Sequence, residues 1–306
     1  MVKKFITYIL MLMLSVSLIG CNKKDSNINE EKNDKIKVVA SFYAMKEFAK
    51  EIGKEKIDVY TIVPDGVEPH DFEPKAKDLE SLEKADLLVL NGLDMEHWKD
   101  DVLKVIKNSK LKIVDTSKDG DFIKIEEGDH KEGEHEHGAY DPHLWLSLNM
   151  AKFQANNIKN ALIEVDSDNK DYYEKNYNEF AKELEDLYND YKSKFQQISN
   201  KSFVTGHETF GYLCRDFGLN QYSIEGVFAE GEPSPKQLKE LTDLCKEKNI
   251  TTVFVENLVS PQISETLARE VNGKTEKIYT LHSSEDGLSY IEAMKYNLET
   301  IYNSMK

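Results

Sequence analysis

The chain is short of cysteine, of basic residues and of any long apolar span, and each shortage removes a class of function. Its three cysteines are Cys21, Cys214 and Cys245, with no CxxC pair, which leaves a thiolate zinc site or a thioredoxin-type redox centre without ligands. Forty Lys and Arg stand against 56 Asp and Glu, a net charge of −16, so no basic face is available for nucleic acid. Neither a phosphate loop nor a GxGxxG fingerprint occurs, and nucleotide chemistry has no support. His207-Glu208 opens an HExxH zinc-protease motif, but Gly211 stands where the second histidine belongs. What remains is an acidic chain of 306 residues, 40% apolar and 10% aromatic, enough for one large or two smaller cores. Solubility accounts for most of the acidic charge, which also raises the local concentration of cations.

The most apolar stretch lies at the start. Lys3 and Lys4 precede Phe5 to Ile19, a run suited to a signal peptide and too short to span a bilayer. It ends Leu18-Ile19-Gly20-Cys21, which resembles the bacterial lipoprotein box and makes Cys21 the candidate lipidation site. Asn22 to Asp34 is polar apart from Ile28 and reads as a tether. Cys214 and Cys245 fall in helical patterns and are expected to be two separate buried thiols, although export would permit a disulfide.

From Lys35 the pattern alternates strand and helix. Strands are expected at Lys37–Ala40, Ile57–Val63, Asp86–Asn91 and Leu111–Asp115, with helices at Tyr43–Gly53, Lys75–Lys84 and Met95–Lys107. A helix over Asn149–Glu164 leads to a longer one, roughly Asn169–Ile198. Its apolar stripe runs Tyr173, Tyr177, Phe180, Leu184, Leu187, Tyr191, Phe195 and Ile198 along one face. About 30 residues would span about 45 Å, longer than one small lobe, so this helix is expected to bridge two. Alternation then resumes, with strands at Ser202–Thr205, Tyr222–Ile224, Thr251–Val255 and Glu276–Leu281 and helices at Phe210–Phe217, Pro235–Lys248, Pro261–Asn272 and Leu288–Met305. The expected class is α/β: two lobes, each a four-stranded parallel sheet flanked by helices. The expected divisions are a signal peptide over 1–20, a tether over 21–34, an N-terminal lobe over 35–165, a bridging helix over 166–200 and a C-terminal lobe over 201–306.

Four of the eight histidines fall between Asp129 and Trp145. His130, His135 and His137 sit in an acidic, Gly-containing tract over 129–138 that has nothing to bury, and they are read as an auxiliary metal-binding loop. His143 differs, being held between Pro142 and the apolar Leu144 and Trp145, and it is read as a fixed ligand. His70 follows the second strand, His207 the fifth, and His282 and Glu285 the last. Ligands of parallel sheets bind beyond the carboxyl ends of strands, and these candidates all land there, from both lobes. His97, beside Trp98, falls instead on a helical pattern. Three imidazoles and a carboxylate suit tetrahedral Zn²⁺, and three nitrogens argue against Mn²⁺. The fourth position is open to His282, Glu285 or water.

At this point the chain resembles the cluster A-I family of metal-binding lipoproteins that feed zinc or manganese to ABC importers. The resemblance runs from about Lys35 to the C-terminus and rests on Gly66-x-x-Pro69-His70-x-x-Glu73-Pro74, the His-bearing acidic loop, Asp141-Pro142-His143-Leu144-Trp145, Gly206-His207-x-x-Phe210-Gly211-Tyr212, Val255-Glu256 and Met294-Lys295-Tyr296-Asn297-Leu298. It implies a metal site of His70, His143, His207 and Glu285 between two lobes joined by a rigid helix. Histidine at position 207 and a His-bearing loop go with the zinc branch. The resemblance further implies Zn²⁺ as transported ligand, an ABC permease and its ATPase as partners, a lipid anchor on the extracytoplasmic face, a monomer and no catalysis. A manganese-binding member of the same family, a zinc-dependent hydrolase and a surface adhesin are the competing readings.

Overall fold

The computed structural model describes residues 35–125, 138–228, 233–257 and 261–306. Cys21 and the loop histidines His130, His135 and His137 lie outside them.

Two parallel four-stranded sheets carry the fold. The first is built from β1 (Ile36–Ala40), β2 (Ile57–Thr61), β3 (Leu87–Leu90) and β4 (Lys112–Asp115), in the order β2-β1-β3-β4. The second contains β5 (Ser202–His207), β6 (Asn220–Glu225), β7 (Thr252–Val255) and β8 (Lys274–Lys277), in the order β6-β5-β7-β8. All pairings in both are parallel. The pattern-based expectation of two such sheets is met, with one refinement. Only the inner strands are covered on both faces. Leu87-Leu88-Val89-Leu90 is wholly buried, whereas Ile57-Asp58-Val59-Tyr60-Thr61 alternates as an edge strand does.

The helices are α1 (Tyr43–Gly53), α2 (Ala76–Glu83), α3 (Lys99–Val105), α4 (Leu148–Val165), α5 (Lys170–Phe195), α6 (Gly211–Phe217), α7 (Pro235–Glu247), α8 (Pro261–Glu270) and α9 (Tyr290–Ser304). Ser147 caps α4, accepting from the backbone N–H of Met150 at 3.0 Å. The 26-residue α5 buries Tyr173, Phe180, Leu184, Leu187, Tyr191 and Phe195, the stripe that its periodicity marks out. Phe180 meets Phe48 of α1 and Tyr290 of α9, and Phe195 meets Phe217 of α6, so α5 packs on helices of both halves. One continuous core runs from the first sheet through α1, α4, α5 and α9 to the near face of the second. A smaller core of Val204, Cys245, Ile250, Val253, Leu267, Ala268 and Val271 fills its far side. Cys214 belongs to the larger core and Cys245 to the smaller, and both are free thiols. No helix among the described residues is long and apolar enough to cross a membrane.

Several expected elements are shorter than their patterns, and two ends fall shortest. The helix expected from Met95 begins at Lys99, because Gly92, Leu93 and Asp94 all take positive φ, and Glu96 draws the backbone N–H groups of Asn91 and Gly92 onto its carboxylate. The last strand ends at Lys277 instead of Leu281, because the chain leaves the sheet to enter the site described next.

Candidate metal centre

Four histidine rings meet between the carboxyl ends of the two sheets. Ring centroids lie 5.2 Å apart for His70 and His143, 5.1 Å for His143 and His207, 5.8 Å for His70 and His207, 6.0 Å for His70 and His282, and 6.1 Å for His143 and His282. Donor atoms of His70, His143 and His282 all fall within 4.8 Å of one another. The Nε2 atoms of His70 and His143 are 3.2 Å apart. Two nitrogens on a tetrahedral ion, each bound at about 2.0–2.1 Å, are separated by about 3.3 Å, so this pair already stands at the spacing a shared cation requires.

Each ring is aimed by its own local structure. His70 lies in a single turn opened by Pro69, and Glu68 accepts its backbone N–H at 3.4 Å. His143 is fully buried, its backbone N–H and Nδ1 both directed at Asp141 Oδ1, at 2.9 and 2.8 Å. With a proton on Nδ1, the lone pair at Nε2 faces the centre. Asp141 is itself fixed, since the Tyr212 hydroxyl donates to its carbonyl at 2.7 Å. Its carboxylate fits only because residue 211 is glycine, where a Cβ would stand 2.8 Å from Asp141 Oδ2. The position that denies the chain an HExxH motif is therefore the one that admits a partner for His143.

His207 ends β5. Its backbone N–H donates to Glu256 Oε1 at 2.9 Å, its Nδ1 is 3.8 Å from Glu256 Oε2, and its Nε2 donates to the Val227 carbonyl at 2.7 Å. His282 is aimed by strain. Leu281, buried and non-glycine, adopts φ +59° immediately before it. The side chain of Asn297 takes over the backbone of Tyr279, accepting from its N–H at 2.9 Å and donating to its carbonyl at 2.7 Å, which supports the departing chain. Trp145 packs under His143 and His282 at 5.2 and 5.3 Å and donates to the Thr280 carbonyl at 2.7 Å.

The electrostatics suit a cation. Burial lowers His207 to about 4, and burial together with the neighbouring imidazoles holds His70 and His143 well below their ordinary value, so the rings stay neutral. Burial raises Asp141 to about 7 and Glu256 to about 8. Burial also acts to raise Glu68, but the hydrogen bond and electrostatic attraction of His282, with the nearby His70 and His207, outweigh it and hold that carboxyl low.

The structure thus brings His70, His143 and His207 into one cleft, and His282 joins them. Glu285 is placed differently. Its carboxylate lies 3.2 Å from Lys277 Nζ and is not among the converging donors. His97 is exposed and pairs with Glu73, away from the centre. The motifs do not by themselves assign the supporting carboxylates Glu68, Asp141 and Glu256. For Asp141 and Glu68 the signal was present as an acid two residues before each histidine. For Glu256 it was not, since 49 residues separate it from His207.

Two parallel α/β lobes, a helix packed on both and a buried imidazole cluster between them define a two-lobed binding protein whose cleft accepts a metal ion. The comparisons with known proteins give the family. The chain belongs to the zinc-uptake complex component A (ZnuA, periplasmic) family, whose model matches residues 38–304. It is 42% identical over 276 residues to a Treponema pallidum protein named for metal binding, covering 89% of this chain and 87% of the relative. It is 37% identical over 293 residues to the high-affinity zinc uptake system protein ZnuA of Bacillus subtilis, covering 93% and 92%. Among solved structures, the laminin-binding protein Lmb of Streptococcus agalactiae, described as having adhesin and metal-transporting activity, aligns with a TM-score of 0.81 at 35% identity over 89% of this chain and all of that one.

Proposed function

We propose that this chain is the zinc receptor of an ABC importer. It takes Zn²⁺ from the extracytoplasmic space into the cleft and hands it, chemically unaltered, to a membrane permease driven by its ATPase. His70, His143 and His207 hold the ion, and the loop 282–285 supplies the fourth donor. A lipid on Cys21 keeps the receptor at the membrane, and His130, His135 and His137 form an auxiliary collecting site.

The observation that carries this reading is the convergence of four imidazoles from stretches far apart in the chain onto one buried point. Nitrogen-rich, tetrahedral sets suit zinc, whereas manganese is better served by oxygen. The zinc-uptake names of the relatives support the same cargo. The test is a titration of the metal-stripped protein with Zn²⁺ and Mn²⁺, followed by elemental analysis. One tightly held zinc per cleft is expected. Preference for manganese would move the chain to the other branch, and absence of either metal would end the receptor reading. Replacing Cys21 by serine is expected to release the protein from the membrane fraction.

A further inference from the structure

The resemblance to known receptors gives the last ligand place to Glu285, and the side chains do not favour it. Resting on the zinc-receptor reading, we propose that His282 is a direct ligand, completing with His70 and His143 a three-imidazole pocket that His207 closes by giving up Val227.

Four observations carry this. His282 is 3% exposed, and its Nε2 has no hydrogen-bond partner among the described residues, a costly state for a buried polar atom unless a ligand completes it. Its other nitrogen, Nδ1, lies 3.3 Å from Glu68 Oε2, the carboxylate–imidazole arrangement that fixes the tautomer of a metal-bound histidine. Asp141 serves His143 in the same way. The positive φ of Leu281 is backbone strain spent at the residue that turns His282 into the cleft. Glu285 Oε2 is likewise buried without a hydrogen bond, but that carboxylate lies 3.2 Å from Lys277 Nζ, which also holds Asp286 at 2.8 Å, and it stands outside the group of converging donors.

The anchoring suggests an order of capture. The His282 loop is tied to the first lobe: Gly66 N–H donates to Ser283 Oγ at 2.9 Å, and Ser284 N–H to Asp65 Oδ1 at 2.9 Å. His70, His143 and His282 are therefore preassembled on one side. His207, fixed to Glu256 on the second sheet, has its Nε2 occupied by the Val227 carbonyl and must exchange that bond for the ion. Four imidazoles coordinated to the ion carry no charge of their own, so its full charge is left to be balanced by Glu68, Asp141 and Glu256 behind them.

X-ray absorption of the zinc-loaded wild-type protein is expected to show four imidazole nitrogens at about 2.0–2.1 Å. Three imidazoles with one oxygen would overturn the proposal. In competition with a chromophoric chelator, His282→Ala is expected to weaken zinc binding by at least about tenfold, since losing even a residue behind a ligand costs about 10–100-fold. Glu285→Gln is expected to change it by less than about threefold on the same scale. The reverse order would also overturn the proposal. Metal-free melting of both variants reports their folding, and the absorption measurement needs no variant. A wild-type protein that takes up no zinc removes the receptor reading itself. One that binds through three imidazoles, with His282→Ala intact, removes only His282.

Discussion

Asp141 Oδ1 accepts both the backbone N–H of His143, at 2.9 Å, and its ring Nδ1, at 2.8 Å. One carboxylate oxygen thus sets the position and the tautomer of the ring at once. Asp141→Ala is expected to lower zinc affinity by about 10–100-fold. A chelator competition showing wild-type affinity in a normally folded variant would remove Asp141 from the centre.

Acidification should release the ion later than free imidazole chemistry suggests. Zinc needs neutral rings, and an ordinary histidine takes up a proton through about pH 6.5. Burial lowers His207 to about 4 and holds His70 and His143 down in the same direction. Binding is present above these folded values and lost as pH falls through them. The loss is therefore expected as pH falls toward about 4, in place of the window near 6.5 that histidine ligation alone implies. A zinc titration series from pH 8 to pH 4 reads this directly, and release already complete at pH 6 would contradict it.

The metal-free protein should lose stability as pH rises through neutrality. Burial raises Asp141 and Glu96 to about 7 and Glu256 to about 8. In the unfolded chain these groups ionise near pH 4, so between about 4 and 8 the folded state holds more protons than the unfolded state. Their contribution is fully present below pH 4 and fades as pH climbs through 7–8. His70, His143 and His207, held below their ordinary value, oppose this until about pH 7.5, where they are neutral in both states. Thermal melts at pH 7.5 and pH 8.5 are expected to show the lower transition at the higher pH. A bound cation should also drive protons off Asp141 and Glu256, seen as acid release into weak buffer near pH 7.

Gly211→Ala tests the space beside Asp141. The added Cβ would sit 2.8 Å from Asp141 Oδ2 and force a shift. A cost of about 1–3 kcal/mol in denaturant unfolding is expected, with weaker zinc binding as well. A variant of unchanged stability and affinity would show that the carboxylate moves aside freely.

Deleting Gly128 to Gly138 is expected to lower zinc stoichiometry while sparing the tight site. The antiparallel bridge between Lys124 and Tyr140 and the bond from Asp141 N–H to the Ile123 carbonyl, 3.0 Å, lie on either side of the deleted stretch and position His143. Loss of all binding would mean that the stretch belongs to the main centre.

Periodicity by itself determined the helices and inner strands, because burial of an apolar stripe is a local property repeated every few residues. The α1 helix, Tyr43–Gly53, falls where Ala44, Phe48 and Ile52 predict it, and the α5 stripe is buried as its spacing requires. The placement of histidines after strands likewise determined that His70, His143 and His207 share an edge, since parallel topology sends those ends the same way. Only the tertiary structure decided between His282 and Glu285 as neighbours of the imidazoles. Ile278 to Leu281 reads as a strand because it is apolar, yet it leaves the sheet beyond Ile278. Asn297, 18 residues away, replaces its backbone partner, and Leu281 turns through positive φ. That turn faces one side chain toward His70 and the other toward Lys277, and it depends on contacts between parts of the chain that no local pattern connects.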